Sequence, residues 1–244
     1  MPSAPKTKQV LALLLLNRNN LVSIPAIIEE LWDDKPPASA MTTLQTYVFQ
    51  LRRLLAEAMP DTSPKEILGT TPNGYVLRIP PDALDLHRYE RARAAGQRHF
   101  TVGNHPAAAD CLRTALGAWH GSALADVRTG RRLDSEVARL DESRLTAYGM
   151  CLEAELASGG HAAVLSELTG LVSQYPLHEP FHRQLMLALY RSGRRPDALS
   201  VFHRLRSTLV DELALEPSRD VQHLHQAILS ADPRLDCPGG LAVH

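Results

Sequence analysis

The chain has 244 residues, 44% of them hydrophobic, and a formal net charge of −1 at pH 7. This length suffices for two globular domains, and no apolar run approaches the roughly 20 residues of a membrane-spanning helix. The apolar run Val10 to Leu16 is followed by no cleavage pattern, so we expect a cytoplasmic protein with no membrane partner. The near-neutral charge argues against a general polyanion binder, because the first 84 residues balance eight Lys and Arg against eight Asp and Glu.

Cysteine usage indicates neither a disulfide framework nor a zinc site. Cys111, Cys151 and Cys237 are odd in number and far apart, with no C-x-x-C pair. We expect buried free thiols.

Two helices are predicted at the start of the chain. Lys6 to Asn17 is almost uniformly apolar after a basic start, which predicts a helix buried on most sides. A turn follows at Arg18 to Asn20, and Ser23 is a good N-cap for a second helix that has Pro25 in its first turn. That helix ends before Pro36 and Pro37.

A third helix, from Ala38 to about Ala58, has two contrasting faces. Its apolar residues recur at steps of three and four and predict one buried face: Met41, Leu44, Val48, Leu51 and Leu55. The opposite face carries hydroxyl, amide, guanidinium and phenyl side chains: Thr42, Gln45, Thr46, Phe49, Gln50, Arg52 and Arg53. Such groups read base edges and hold phosphates, and a helix fits the major groove of DNA. By itself, however, this pattern is more often a solvated helix.

A short hairpin is predicted behind this helix. Asn73-Gly74 stands between two β-rich runs, and this pair favours a tight turn because both residues accept positive φ. A helix followed by a hairpin is the outline of a winged helix. The pair Pro80-Pro81 marks a plausible domain boundary.

From Asp85 onward the pattern is helical and repeats with a period of 34 residues. Gly159 aligns with Gly193, and apolar positions match on both sides of each glycine. A third copy begins at Gly103, separated from the second by an insertion from His120 to about Glu142. Paired helices at this period are typical of tetratricopeptide repeats, which offer a concave surface to a partner.

With these features together, the chain resembles the antibiotic-regulatory activator family (SARP type), in which an OmpR-like winged helix precedes a bacterial transcriptional activator domain. The resemblance rests on ALLLLNRNNLVSIPAIIEELWDDKPPASAMTTLQTYVFQLRRLL, on the wing NGYVL, and on YPLHEPFHRQLMLALYRSGRRPDALSVFHRLRSTLVDELALEPS. It implies a mainly α fold in three parts: an N-terminally shortened winged helix-turn-helix at 1–82, an all-helical tetratricopeptide-like domain at 83–232, and a tail at 233–244.

The resemblance also implies a function and a set of contact residues. Members bind promoter direct repeats, usually as homodimers or side-by-side protomers, and recruit RNA polymerase to secondary-metabolite clusters. No cofactor or enzymatic activity is implied, and the protein would be associated with the nucleoid. By similarity, Gln45, Thr46, Phe49 and Gln50 face base edges. Phosphates are held by Thr42, Thr43, Arg52 and Arg53, and the wing offers Thr71, Asn73 and Tyr75, although Tyr75 also fits a place in the hairpin core.

One departure from the family supports an alternative function. Members begin with a sheet of several short strands, whereas only MPSAP precedes the first helix here. Loss of that sheet predicts exposure of Val10 to Leu16 and a weakened domain. The alternative is therefore a tetratricopeptide-type interaction adaptor with impaired DNA binding.

A third possibility, a zinc enzyme, rests on the sequence from His178 to His182. It matches H-E-x-x-H, in which two histidines one helical turn apart bind zinc. Proline is tolerated only in the first turn of a helix, so Pro180 favours a helix start and a coincidental match.

Overall fold

The chain is mainly helical, which confirms the mainly α fold predicted from the sequence. The structure, a computed structural model, describes residues 4–80 and 83–236. The first elements are α1 (Pro5–Leu16), β1 (Leu21–Ser23), α2 (Ile24–Trp32), α3 (Ala40–Ala58), α4 (Pro64–Ile67), β2 (Leu68–Thr71) and β3 (Gly74–Leu77). They are followed by α5 (Asp85–Thr101), α6 (His105–Leu116), α7 (Arg131–Ala157), α8 (Leu165–Gln174), α9 (Glu179–Arg191), α10 (Arg195–Leu213) and α11 (Arg219–Ser230).

These elements form two compact units. The first unit comprises Met1–Arg88 and Trp119–Arg144, and the second unit comprises Tyr89–Ala118 and Leu145–His244. The predicted boundary near Asp82 lies outside the described residues and stays a prediction. No helix within the described ranges is long and apolar enough to cross a membrane.

Local signals account for the helix ends of the first unit. The Ser23 hydroxyl accepts a hydrogen bond from the backbone N–H of Ala26 at 3.3 Å, which confirms the predicted N-cap of α2. Pro25 occupies the first turn of α2, where its missing N–H leaves no hydrogen bond unmade. The third helix begins two residues later than predicted, at Ala40, and ends at the predicted Ala58.

The hairpin belongs to a three-stranded antiparallel sheet in the order β1-β3-β2, and the sequence did not predict β1. The predicted turn is wrong by one residue, because Thr71 pairs with Gly74 and the turn residues are Pro72 and Asn73. Gly74 has a different role. A Cβ at this position would lie 2.1 Å from the carbonyl oxygen of Val22 in β1, so only glycine allows the two strands to approach.

The first helix is covered, and the predicted exposure of Val10 to Leu16 is wrong. Val10, Leu13 and Leu14 are buried among residues of α2, α3 and the sheet, while Leu11, Leu15 and Leu16 are half-buried. The first helix therefore has a complete core on its apolar side.

Part of that core comes from the segment that interrupts the repeats. The sequence places His120 to about Glu142 as an insertion in the repeat array, but in space Trp119–Arg144 group with the first unit. Leu133 at the start of α7 is fully buried in the same core as α1 and α3, and Leu124 and Val127 pack against that core. The signal was missed because these contacts join residues about a hundred positions apart.

The second unit consists of paired helices and confirms the predicted repeat. Gly103, Gly159 and Gly193 lie between successive helices of the pairs α5/α6, α7/α8 and α9/α10, and all three have positive φ between 74° and 86°. Equivalent glycines therefore reverse the chain in each repeat, as left-handed backbone favours residues without a Cβ. The core of this unit extends to Leu235, so its packing continues past the predicted end at Asp232 into the predicted tail.

The two described cysteines differ in environment. Cys151 is buried, and this burial raises the pKa of its thiol to about 12. Cys111 is half-buried, which corrects the prediction that it is buried. Cys237 lies outside the described residues.

Candidate nucleic-acid interface

The two faces of α3 separate as the sequence predicts, except that Met41 is 40% exposed and Leu55 is half-buried, although both were predicted to be buried. Leu44, Val48 and Leu51 are buried in the core of the first unit. The opposite face is open to solvent along the helix and carries Thr42, Gln45, Thr46, Phe49, Gln50 and Arg53. Thr43 and Arg52 are half-buried at the margins of this face. We call the six exposed side chains the α3 outer face.

Phe49 is the most informative member of the α3 outer face. Its side chain is 68% exposed, although phenylalanine is usually buried. Thr46 and Gln45 lie within one helical turn of it, so an apolar ring stands among hydrogen-bonding groups. That combination suits the edge of a base pair, where a thymine methyl group adjoins donors and acceptors.

The two arginines at the end of α3 have different roles. Arg52 donates from Nε and Nη2 to the carbonyl oxygen of Leu68 at 3.0 and 2.7 Å, and from Nη2 to Oγ1 of Thr70 at 2.8 Å. Its guanidinium therefore ties α3 to β2, a supporting role that the sequence did not predict, and its phosphate contact stays a prediction. Arg53 is exposed and forms no ion pair or hydrogen bond with any residue in the described ranges, so its charge is available to an anion.

Only part of the predicted wing is available for contact. Asn73 is exposed at the turn, and Thr71 is half-buried, with its hydroxyl donating to the carbonyl oxygen of Gly74 at 3.1 Å. Tyr75 is only 4% exposed and belongs to the core, so its predicted DNA contact is wrong. Side chains alternate across a strand, and this residue points inward.

Acidic side chains on α2 and at its C-cap form ion pairs within the first unit. Arg132 pairs with Glu29 at 2.6 Å and Arg131 pairs with Asp33 at 3.1 Å. These two arginines were not predicted to have partners. The pairs explain how a unit with little net charge presents a cation on α3, because much of its acidic charge is already paired.

Glu30 has a structural role that the sequence did not reveal. Its carboxylate is 3% exposed and accepts from the backbone N–H groups of Gly130, Arg132 and Leu133 at 2.6, 2.9 and 3.2 Å. Gln9 donates to it at 3.0 Å. The carboxylate thus caps the N-terminus of α7, where the helix dipole favours negative charge.

The H-E-x-x-H segment lies at a helix start, as its proline predicts. His178 is the N-cap of α9, and Pro180 occupies its first turn. His182 is buried and its Nε2 lies 2.9 Å from the carbonyl oxygen of Pro176, which fixes the ring against the backbone. Burial lowers the pKa of His182, so the ring is held neutral. Within the described ranges, no three His, Cys, Asp or Glu side chains are close enough to share a metal ion.

A solvent-exposed polar helix beside a small sheet, followed by helical repeats, defines a winged-helix DNA-binding protein with a repeat domain. Comparison with known proteins gives the same class. Residues 2–77 match the family described as "Transcriptional regulatory protein, C terminal", and residues 84–229 match the "Bacterial transcriptional activator domain".

Individual relatives agree along nearly the whole chain. Regulatory protein DnrI of Streptomyces peucetius is 44% identical over 241 residues, covering 98% of this chain and 89% of DnrI. Transcriptional regulator RedD of Streptomyces coelicolor is 34% identical, covering 98% of this chain and 68% of RedD. A solved structure of Mycobacterium tuberculosis EmbR, in complex with a low-affinity phosphopeptide, superposes with a TM-score of 0.90 at 35% identity. The superposition covers 96% of this chain and 61% of the EmbR chain.

The chain belongs to the SARP-type family of DNA-binding transcriptional regulators, which join an OmpR-like winged helix to a bacterial transcriptional activator domain. The family resemblance inferred from sequence is thereby confirmed.

Proposed function

We propose that the α3 outer face enters the major groove of promoter DNA and reads its sequence. The observation that carries this proposal is the open face itself, on which the exposed ring of Phe49 stands among amides and hydroxyls. The base-reading residues are Gln45, Thr46, Phe49 and Gln50. Phosphate contacts fall to Thr42, Thr43 and Arg53, and Thr71 and Asn73 of the wing approach the neighbouring backbone.

We further propose that the protein activates transcription of a secondary-metabolite gene cluster. In this proposal it binds direct repeats as a homodimer or side-by-side protomers, in the cytoplasm at the nucleoid, and the second unit recruits RNA polymerase. The family membership and the paired helices of the second unit support this proposal, because stacked repeats offer an extended surface to a partner. The proposed function is regulatory and requires neither a cofactor nor a catalytic step.

Base reading and activation are tested in sequence. Selection of duplexes from a random library with the full chain should enrich a repeated motif. Phe49→Ala should then weaken binding to the enriched motif by about 5- to 100-fold, as expected for the loss of a good base contact, and should have little effect on a duplex in which the contacted thymine is replaced. Transcription in vitro from the enriched motif with purified RNA polymerase should rise when the protein is added. Recovery of no motif would refute sequence-specific reading, and binding without a rise in transcript would refute activation.

The alternative, an adaptor with impaired DNA binding, has lost its structural argument. It depended on an exposed α1 and a weakened core, whereas Val10, Leu13 and Leu14 are buried. The segment Trp119–Arg144 supplies further packing to that core through Leu133. We therefore retain the DNA-binding activator as the proposed function.

A further inference from the structure

A buried hydroxyl contacts the side chain of one proposed base-reading residue. Thr7 of α1 is 1% exposed, and its Oγ1 donates to Oε1 of Gln50 at 3.0 Å, although the two residues are 43 positions apart. Gln50 is otherwise exposed on α3. In the described part of the chain, Gln50 Oε1 is the hydrogen-bond partner of this hydroxyl.

This bond restricts the Gln50 amide in two ways. A free glutamine side chain samples many rotamers, and ordering it opposes binding. A hydroxyl that donates to Oε1 also fixes which end of the amide remains open, so the two N–H groups of Nε2 are left for another partner. The side chain is therefore ordered before any ligand arrives, and it is presented as a donor.

Such a donor discriminates between purines in the major groove. Guanine offers two acceptors, N7 and O6, whereas adenine offers one acceptor beside an N6 donor. The usual pairing of glutamine with adenine needs both its oxygen and its nitrogen. With Oε1 directed at Thr7, the amide suits guanine better than adenine.

We propose that Thr7 is a positioning residue for sequence readout, which holds the Gln50 amide as a hydrogen-bond donor toward guanine. This inference rests on the proposed function, in which α3 lies in the major groove. Thr7 itself does not touch DNA, because it is buried in the first unit.

Four variants of the full chain test the inference: Thr7→Val, Thr7→Ser, Gln50→Ala and the Thr7→Val/Gln50→Ala double variant. The probe is the duplex enriched from a random library by the wild type, together with every single base-pair change in it. The position at which Gln50→Ala abolishes preference is the one that Gln50 reads, and we expect guanine there. Thr7→Val should lower the preference at that position about three- to ten-fold, because the amide must then be ordered on binding.

The matched variants separate positioning from stability. Thr7→Ser keeps the hydroxyl and should keep the guanine preference, and the double variant should match Gln50→Ala. Affinity for a duplex without the motif should be unchanged in Thr7→Val, because Thr7 acts only through the base that Gln50 reads. Loss of fold would instead lower binding to all sequences equally. Urea unfolding followed by tryptophan fluorescence checks the fold of each variant.

Three results would overturn the inference: full guanine preference in Thr7→Val, an equal loss for all sequences, or adenine at the Gln50 position. If Gln50→Ala alters no base preference, Gln50 is not a reader and Thr7 positions nothing. Failure of the proposed function looks different, because the wild type would then enrich no motif at all.

Discussion

Replacing Glu30 with glutamine should destabilise the first unit far more than a nearly isosteric change normally does. Oε1 accepts from Gly130 and Gln9, and Oε2 accepts from Arg132 and Leu133. In Glu30→Gln one oxygen becomes an NH₂ group, which faces two N–H donors and bonds to neither. Each buried donor left without a partner costs about 1–3 kcal/mol, so we expect a loss of about 4 kcal/mol in the free energy of unfolding.

Tryptophan fluorescence follows this unit selectively, because both tryptophans of the chain, Trp32 and Trp119, lie in it. With a urea dependence of about 2 kcal/mol per molar, the midpoint of unfolding should fall by about 2 M. Hydrogen exchange at the amides of Gly130, Arg132 and Leu133 should accelerate along with it.

The neighbouring Glu29→Gln variant is a matched control. Glu29 is more exposed and forms surface ion pairs with Arg131 and Arg132. Pairs of this kind contribute about 0–1 kcal/mol, so the midpoint should move by less than about 0.5 M. Equal midpoints for the two variants would refute the capping role of Glu30.

Three further predictions follow from the first and second units. Gly74→Ala should lower the melting temperature by several degrees, as expected for about 2 kcal/mol, because its methyl group would meet a β1 carbonyl; an unchanged melt would contradict the close approach. At pH 8 iodoacetamide should modify Cys111 before Cys151, whose raised pKa keeps the thiol protonated; equal labelling in peptide maps would contradict this order. Arg52→Ala should destabilise the first unit by about 1–3 kcal/mol, and Arg53→Ala by less than about 0.5 kcal/mol, as measured by urea unfolding. Equal losses would contradict the view that Arg52 supports the fold and Arg53 does not.

Features set by neighbouring residues could be predicted from the sequence. The N-cap at Ser23 and the proline at 25 place the start of α2, and the apolar spacing of α3 separates its two faces. The 34-residue spacing of Gly159 and Gly193 identifies the repeat, because both glycines occupy turns whose backbone has positive φ.

Features set by distant residues could not be predicted. Glu30 reads as one of several acidic residues on α2, and nothing near it shows that its partners lie about a hundred positions further on. The same holds for Thr7, whose partner Gln50 is on another helix. The sequence predicts Gly74 in a turn and not beside β1, because β1 is too short to show the alternating pattern of a strand.

The same distinction between local and distant interactions applies to the residues of the candidate site. Exposure of Gln45, Thr46 and Phe49 follows from helical periodicity alone. The bond of Arg52 to β2 and the burial of Tyr75 could not be predicted, because both depend on tertiary packing.

The central claim, that the α3 outer face binds DNA, is tested most directly by the salt dependence of binding. For the duplex enriched by selection, the logarithm of the binding constant should fall linearly with the logarithm of salt concentration. The magnitude of the slope should drop by about one unit in Arg53→Ala. Arg53→Lys should keep the wild-type slope, because the charge remains. A wild-type affinity that does not depend on salt, or a slope unchanged in Arg53→Ala, would contradict the claim.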